Sequence, residues 1–181
     1  MKKRVFIAID LPEILKQEIK KLQIKLQKFS WPVRWEEKEK LHLTLRFLGL
    51  IDEHQISSIS RIVKEAVAKS ESFQLSVDGF IAYPNLRFPS VICLLIEDSK
   101  TLYSLQGEID STIEKQNIGE KERHPFSAHI TIGRVGKINT NFHALNKIEF
   151  KSKFDVQSME IMESKLDNEG SKYFILKSFK L

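Results

Sequence analysis

Apolar residues alternate with polar ones along some stretches of this chain and recur every three or four residues along others, and the two patterns take turns. Residues 5–9 are uninterruptedly apolar and predict a buried strand. Over residues 11–29, Leu11, Leu15, Ile19, Leu22, Leu26 and Phe29 mark one apolar helical face, and Pro12 suits the first turn. Residues 41–48 alternate and predict a strand. Asp52 and Gln55 form a capping box ahead of a second helix, whose buried stripe is Ile56, Ile59, Ile62, Val63, Ala66 and Val67. Residues 73–77 alternate again. The same order then recurs: a strand over 91–96, a helix marked by Leu102, Leu105, Ile109 and Ile113, and a strand over 128–132. A short helical segment over 142–145, a long strand over 153–163 and a last strand over 173–179 complete it, the last after a turn at Asn168, Glu169 and Gly170.

The two series are in register. His129 follows His42 by 87 residues, and Thr131 follows Thr44 by the same 87. That offset also carries Val5 onto Ile92 and Phe73 onto Glu160. The pattern predicts two similar lobes in one domain, residues 1–181, built as an internal duplication. The prolines of residues 83–89 make that stretch the expected connection between two lobes.

Within residues 41–47, strict alternation turns Leu41, Leu43, Leu45 and Phe47 to the core and stands His42, Thr44 and Arg46 together on the other face. Within residues 128–132 the same logic exposes His129 and Thr131 as a pair. Two strands that each present a His and a Thr two residues apart form a set suited to phosphodiester hydrolysis. One imidazole can take a proton from water while the other gives one to the departing oxygen. Threonine hydroxyls can donate to the non-bridging phosphate oxygens, and a cation can strengthen that field. Alternation alone would turn Gly133, not Arg134, to the active face; a bulge at Gly133 would re-aim Arg134.

Composition narrows the classes. The chain has 181 residues, 41% hydrophobic and 29% charged, as in an ordinary globular protein. No apolar run approaches the ~20 residues needed to span a bilayer, and the N-terminal pattern lacks a signal peptide's cleavage site. Cys93 is the single cysteine, which excludes an internal disulfide and fits a reducing cytoplasm. The net charge of +5 permits a polyanionic partner such as RNA without requiring one.

The motifs resemble those of the two-histidine phosphoesterases, and within them the RNA 2′,3′-cyclic phosphodiesterases once described as 2′-5′ RNA ligases. The resemblance runs through residues 4–12, through Val33, Arg34 and Trp35 and then residues 41–49, through Pro125 and Phe126, through residues 129–134, and along the tail. It implies an α+β fold of two pseudo-symmetric lobes with antiparallel sheets lining a central groove and helices on the outside. It implies His42 as proton donor, His129 as proton acceptor, and Thr44 and Thr131 on the phosphate, with Arg134 as a cationic helper. The implied reaction opens the cyclic phosphate to a 2′-phosphomonoester without metal or cofactor, and the same site run backwards would ligate. The chain departs from the family at His124, where Arg is frequent, at Ser127 and Ala128, where Arg-Pro is frequent, and at Cys93, where Trp is common. Arg46 and Arg123 are the further candidate substrate contacts.

Other readings of the same residues stand beside this one. They are a zinc site, which normally needs three or four His, Cys or carboxylate ligands; a module that binds RNA ends without catalysis; and a diesterase for small cyclic nucleotides. Trp35, Tyr83 and Phe88 are candidates to stack a base, or to pack in the core. The expected working unit is a cytoplasmic monomer.

Overall fold

Antiparallel strands are the commonest element of the molecule, and their order in space differs from their order in the chain. The computed structural model describes residues 1–121, 124–136, 141–167 and 170–181. Strand β1 (Lys2–Asp10) leads into helix α1 (Glu13–Leu26) and a short strand β2 (Val33–Trp35). Then come β3 (His42–Asp52), α2 (Gln55–Val67), β4 (Phe73–Tyr83), β5 (Val91–Ile96) and α3 (Lys100–Lys115). The chain finishes with β6 (His129–Val135), β7 (Lys151–Val156), β8 (Ser158–Asp167) and β9 (Gly170–Lys180). The strands form one sheet, in the order β7-β4-β5-β6-β3-β1-β8-β9, with β2 beside β6. It curls into a half-barrel. No helix among the described residues is long and apolar enough to cross a membrane.

The sheet divides into halves of four strands, β3-β1-β8-β9 and β6-β5-β4-β7, and these are not the halves of the sequence. β4, which closes the first sequence series, pairs with β5 and β7 in the second half. β8, from the end of the chain, pairs with β1 in the first. Two expectations change accordingly. Residues 83–89 lie between two strands that pair with each other, so they join strands inside one half and not two lobes. The single strand expected over 153–163 is interrupted at Gln157, and its two parts serve opposite halves. The segment expected as a helix near 142–145 is a 3₁₀ turn, His143–Lys147, anchored by the buried side chains of Phe142 and Leu145.

The helices cover one face of the sheet, and a single contiguous core lies between. Leu15, Ile19, Leu22 and Leu26 of α1, Ile59, Ile62, Val63 and Ala66 of α2, and Leu102, Leu105, Ile109 and Ile113 of α3 all join it. The sequence stripes locate these contacts because a helix returns to the same face every three to four residues. Gln55 Oε1 accepts the Asp52 amide at 3.0 Å, which is one half of the expected capping box. Residues 5–9 are apolar throughout because β1 is covered on both sides. Val5, Ile7 and Ile9 enter the main core, while Phe6 and Ala8 pack with Met162 and Tyr173 on the groove side. Each fully buried side chain of this size contributes ~2 kcal/mol, so β1 is firmly held where the site needs a fixed floor.

Candidate active site

The two halves meet through one bridging pair between their central strands, Leu43 of β3 and Ile130 of β6. Both side chains are fully buried in the core. Alternation therefore turns their neighbours to the opposite face, the groove. His42 and Thr44 flank Leu43, and His129 and Thr131 flank Ile130. Because the strands run antiparallel, His42 lies towards Thr131 and Thr44 towards His129. All four side chains line a cleft of about 220 Å³, together with Glu36, Lys40, Phe47, Arg134 and Tyr173.

Each imidazole is held in the same way. His42 Nδ1 donates to the Lys40 carbonyl at 2.7 Å, and His129 Nδ1 donates to the Ser127 carbonyl at 2.7 Å. In both cases the acceptor lies two residues earlier, so the hydrogen on Nδ1 is fixed and Nε2 is the atom left for chemistry. His42 Nε2 lies 2.9 Å from Thr44 Oγ1, whose hydroxyl donates to it while the ring is neutral. Aromatic rings fix the planes of both imidazoles. His42 packs against Phe6 at 5.0 Å and meets the Tyr173 ring edge-on at 5.2 Å. His129 packs against Tyr83 at 5.2 Å, and the Tyr83 hydroxyl lies 2.7 Å from Ser127 Oγ.

Burial lowers the pKa of both histidines, because a charged imidazole loses water there. The hydrogen bonds to the carbonyls of Lys40 and Ser127 pull the other way in each case. His42 also feels the carboxylates of Asp10 and Glu36, which favour its charged form, while His129 opposes it. Among the described residues, no carboxylate acts comparably on His129. The carboxylates thus favour a charged ring only at His42, while burial, the largest cause, opposes one at both. Burial likewise raises the pKa of the Tyr173 phenol, with Glu36 adding to the rise and Arg134 opposing it.

Bulges decide which further side chains reach the cleft. In β3, Ile7 pairs with Arg46 and Ala8 with Thr44, so Leu45 is the extra residue. The shift reverses the faces beyond it. Arg46 is turned inward and buried, its Nε 3.1 Å from Asp110 Oδ1 on α3, and it donates to the Glu120 carbonyl at 3.0 Å. Phe47 takes the groove side, 55% exposed and 5.6 Å from the Phe6 ring. The expected placement of Arg46 beside His42 and Thr44, with Phe47 in the core, is therefore corrected: Arg46 ties a helix to the sheet and does not reach the cleft.

In β6 a matching bulge falls at Ile132, since Cys93 pairs with Thr131 and Ile92 with Gly133. It brings Arg134 to the groove. A Cβ on Gly133 would come within 2.6 Å of Val33 Cγ1, so the glycine also admits the close passage of β2. Arg134 Nε lies 2.8 Å from Glu36 Oε1. Arg123 lies outside the described residues, as do the turn residues Asn168 and Glu169.

Beyond the cleft the groove widens into a cavity of about 500 Å³, lined by Arg4, Arg34, Trp35 and Leu166 as well as residues of the cleft itself. Trp35 thus borders the groove, whereas Tyr83 is committed to His129 and Phe88 is exposed beneath the Arg87 guanidinium. Sequence alternation misses Phe47, Tyr173 and Glu36. A bulge brings Phe47 to this place, and strand pairings bring Glu36 and Tyr173. Among the described residues, no three of His, Cys, Asp and Glu gather in a way that could hold a metal ion.

Comparison with known proteins bears on the family and the fold. The family model of LigT-like phosphoesterases matches residues 9–93. The RNA 2′,3′-cyclic phosphodiesterase of Methanothermobacter thermautotrophicus is 30% identical over 187 aligned positions that span 100% of both chains. The protein of the same description from Thermotoga maritima is 36% identical over 132 positions, covering 73% of this chain and 70% of its own. TT0787 of Thermus thermophilus shares the fold with a TM-score of 0.84 at 22% identity, over 98% of this chain and 97% of that one. A family model and a relative matched from end to end lead to one assignment: the chain belongs to the LigT-like phosphoesterase family, within the two-histidine phosphoesterases.

Proposed function

We propose that this protein hydrolyses the 2′,3′-cyclic phosphate at RNA ends to a 2′-phosphomonoester, with His42 as acid and His129 as base. The observation that carries the proposal is the convergence of both His–Thr pairs on one cleft around the Leu43–Ile130 bridge. Curated relatives of the same description support the substrate class.

In the proposed step, His129 Nε2 takes a proton from water as the water oxygen bonds to phosphorus. The bond from phosphorus to the ribose 3′ oxygen breaks, and His42 Nε2 gives its proton to that oxygen. One water is consumed, and exchange with solvent returns a proton to His42 and removes one from His129. The carboxylates of Asp10 and Glu36 near His42 suit it to hold the initial proton. Thr44 and Thr131 donate to the non-bridging oxygens, and Arg134 supplies positive charge. Nothing in this step calls on a metal ion. With a ribose 5′ hydroxyl in place of water as the nucleophile, the same attack would break the same bond to the 3′ oxygen and perform 2′-5′ ligation.

A polynucleotide fits the groove better than a small cyclic nucleotide does. The cavity beyond the cleft is open and carries Arg4, Arg34 and Lys40 in addition to Arg134, where a mononucleotide would need only a closed pocket. Ribose and base extend from the His42 side, towards Phe47 and Trp35, because the departing oxygen belongs to the ribose. Both halves of the site come from one chain, so the working unit is a monomer, placed in the cytoplasm with its lone cysteine buried. The 87-residue offset relating the motifs, the carbonyl acceptors and the bulges supports an internal duplication within a single domain.

The test is product analysis with a defined RNA ending in a 2′,3′-cyclic phosphate, in the presence of chelator. A 2′-phosphate product supports the proposal. A 3′-phosphate product would reverse the assignment of the leaving oxygen, and activity that vanishes with chelator would overturn the metal-free step.

A further inference from the structure

A carboxylate is an unexpected occupant of a cleft that must receive a phosphate, and Glu36 is fixed there. Its backbone amide donates to the Ile132 carbonyl at 3.0 Å. Its own carbonyl accepts from Gln23 Nε2 at 2.9 Å, and the fully buried Gln23 amide also reaches the Ile132 carbonyl at 3.0 Å. The side chain is only 13% exposed and is paired with Arg134 at 2.8 Å. It borders both the cleft and the wider cavity. Its field reaches His42 and Tyr173 on the far wall. Of the two nearby cations, Lys40 is engaged by Glu37 at 3.1 Å and Arg134 by Glu36 itself. The cleft therefore holds much less net positive charge than its count of basic residues implies.

We propose that Glu36 is a charge filter that lets the site accept a phosphate with one negative charge and expel one with two. The inference rests on the hydrolysis proposed above. There the substrate is a cyclic diester with a single charge, and the product is a monoester that carries nearly two at neutral pH. Coulomb energy is linear in charge, so the repulsion from Glu36 acts about twice as strongly on product as on substrate. The carboxylate thereby speeds the exit of what the enzyme makes at a smaller cost in binding what it needs.

The test compares Glu36→Gln with the natural protein and with Glu36→Asp, which keeps the charge. The readouts are KM for a cyclic-ended oligonucleotide and, by calorimetry, Kd for the matching 2′-phosphate-ended oligonucleotide. Near neutral pH, Glu36→Gln is expected to lower KM ~3-fold and the product Kd ~10-fold, one effect being about the square of the other. At about pH 5 the monoester carries a single charge, and the two changes should converge. Glu36→Asp should keep the natural ratio of Kd to KM. Equal changes in substrate and product at both pH values would overturn the inference. So would a loss of affinity for both, which would make Glu36 only a brace for Arg134. If the natural protein opens no cyclic phosphate, the hydrolysis reading fails separately. Calorimetry with 2′-AMP against 2′,3′-cyclic AMP then reads the filter without turnover, and an undiminished preference for the diester in Glu36→Gln would dismiss it.

Discussion

Phe47 and Arg134 occupy matching places in the two halves of the site. Each lies three residues beyond its motif threonine, each follows a one-residue bulge, and each borders the cleft. One is an exposed ring and the other a guanidinium, so the groove is symmetric in backbone and asymmetric in chemistry. An aromatic face suits a base, and a planar cation suits a phosphate.

The pair can be separated by substitution. Arg134→Ala should weaken binding of all cyclic-ended substrates by ~10-fold or more, and Arg134→Lys should restore only part of it, because an ammonium lacks the forked donors. Phe47→Ala should raise KM by ~10-fold with a much smaller change in kcat, in keeping with the loss of one stacked base. Steady-state kinetics on one defined oligonucleotide separates these outcomes.

His42→Ala and His129→Ala should each reduce turnover by at least ~100-fold, the lower end of what positioned acid–base groups contribute. Circular dichroism and a cooperative thermal melt should show both variants folded, since neither ring belongs to the core. Near-natural turnover in either variant would remove that ring from the reaction.

Thr44→Val and Thr131→Val keep the shape of the side chain and delete its donor. Each should reduce kcat/KM by ~10- to 100-fold, as expected when one hydrogen bond to a charged phosphate is lost. Thr44→Val should also alter the pH profile, because it removes the hydroxyl facing His42 Nε2.

Stability should depend on pH through the same two rings. Both folded-state pKa values are pushed by burial below the ordinary value of about 6.5. The unfolded chain then binds more protons than the folded one between the two values. The neutral rings are fully compatible with the fold above about pH 6.5, and stability is lost as pH falls from there through the folded pKa. Denaturant midpoints measured from about pH 7.5 to pH 5 should decline, and His129→Ala should flatten the decline. A natural protein that grew more stable on acidification over this range would contradict the directions of both shifts.

Arg46→Met should cost ~3 kcal/mol of stability, because it leaves the Asp110 carboxylate facing the interface without its guanidinium. The kcat/KM of the folded fraction should remain close to natural. A large kinetic loss without destabilisation would return Arg46 to the site from which the bulge removes it.

How much of this can be read from residues alone differs from feature to feature. The helix stripes and the motif strands follow from local periodicity, and so do the faces of His42, Thr44, His129 and Thr131, because nothing interrupts alternation within those few residues. Alternation misplaces Arg46 because a bulge reverses faces and leaves no apolar or polar signature. Arg134 is recoverable in part: Gly133 signals an irregularity in the strand, but the extra residue is Ile132, one position earlier, and the glycine serves the close passage of β2. Glu36 and Tyr173 reach the cleft through pairings between distant segments, β2 with β6 and the β8–β9 hairpin with β1, which periodicity does not encode. The exchange of β4 and β8 between halves is hidden for the same reason: each reads as a strand wherever it pairs.

That exchange has a consequence for synthesis. A chain emerging from the ribosome exposes its amino-terminal end first, yet β1 must wait for residues 158–167 before its second edge is covered. Tyr173, which closes over His42, arrives later still. A nascent polypeptide bearing both motif histidines would still lack the wall behind one of them, so the site should acquire its working form only after residues 158–173 have been made.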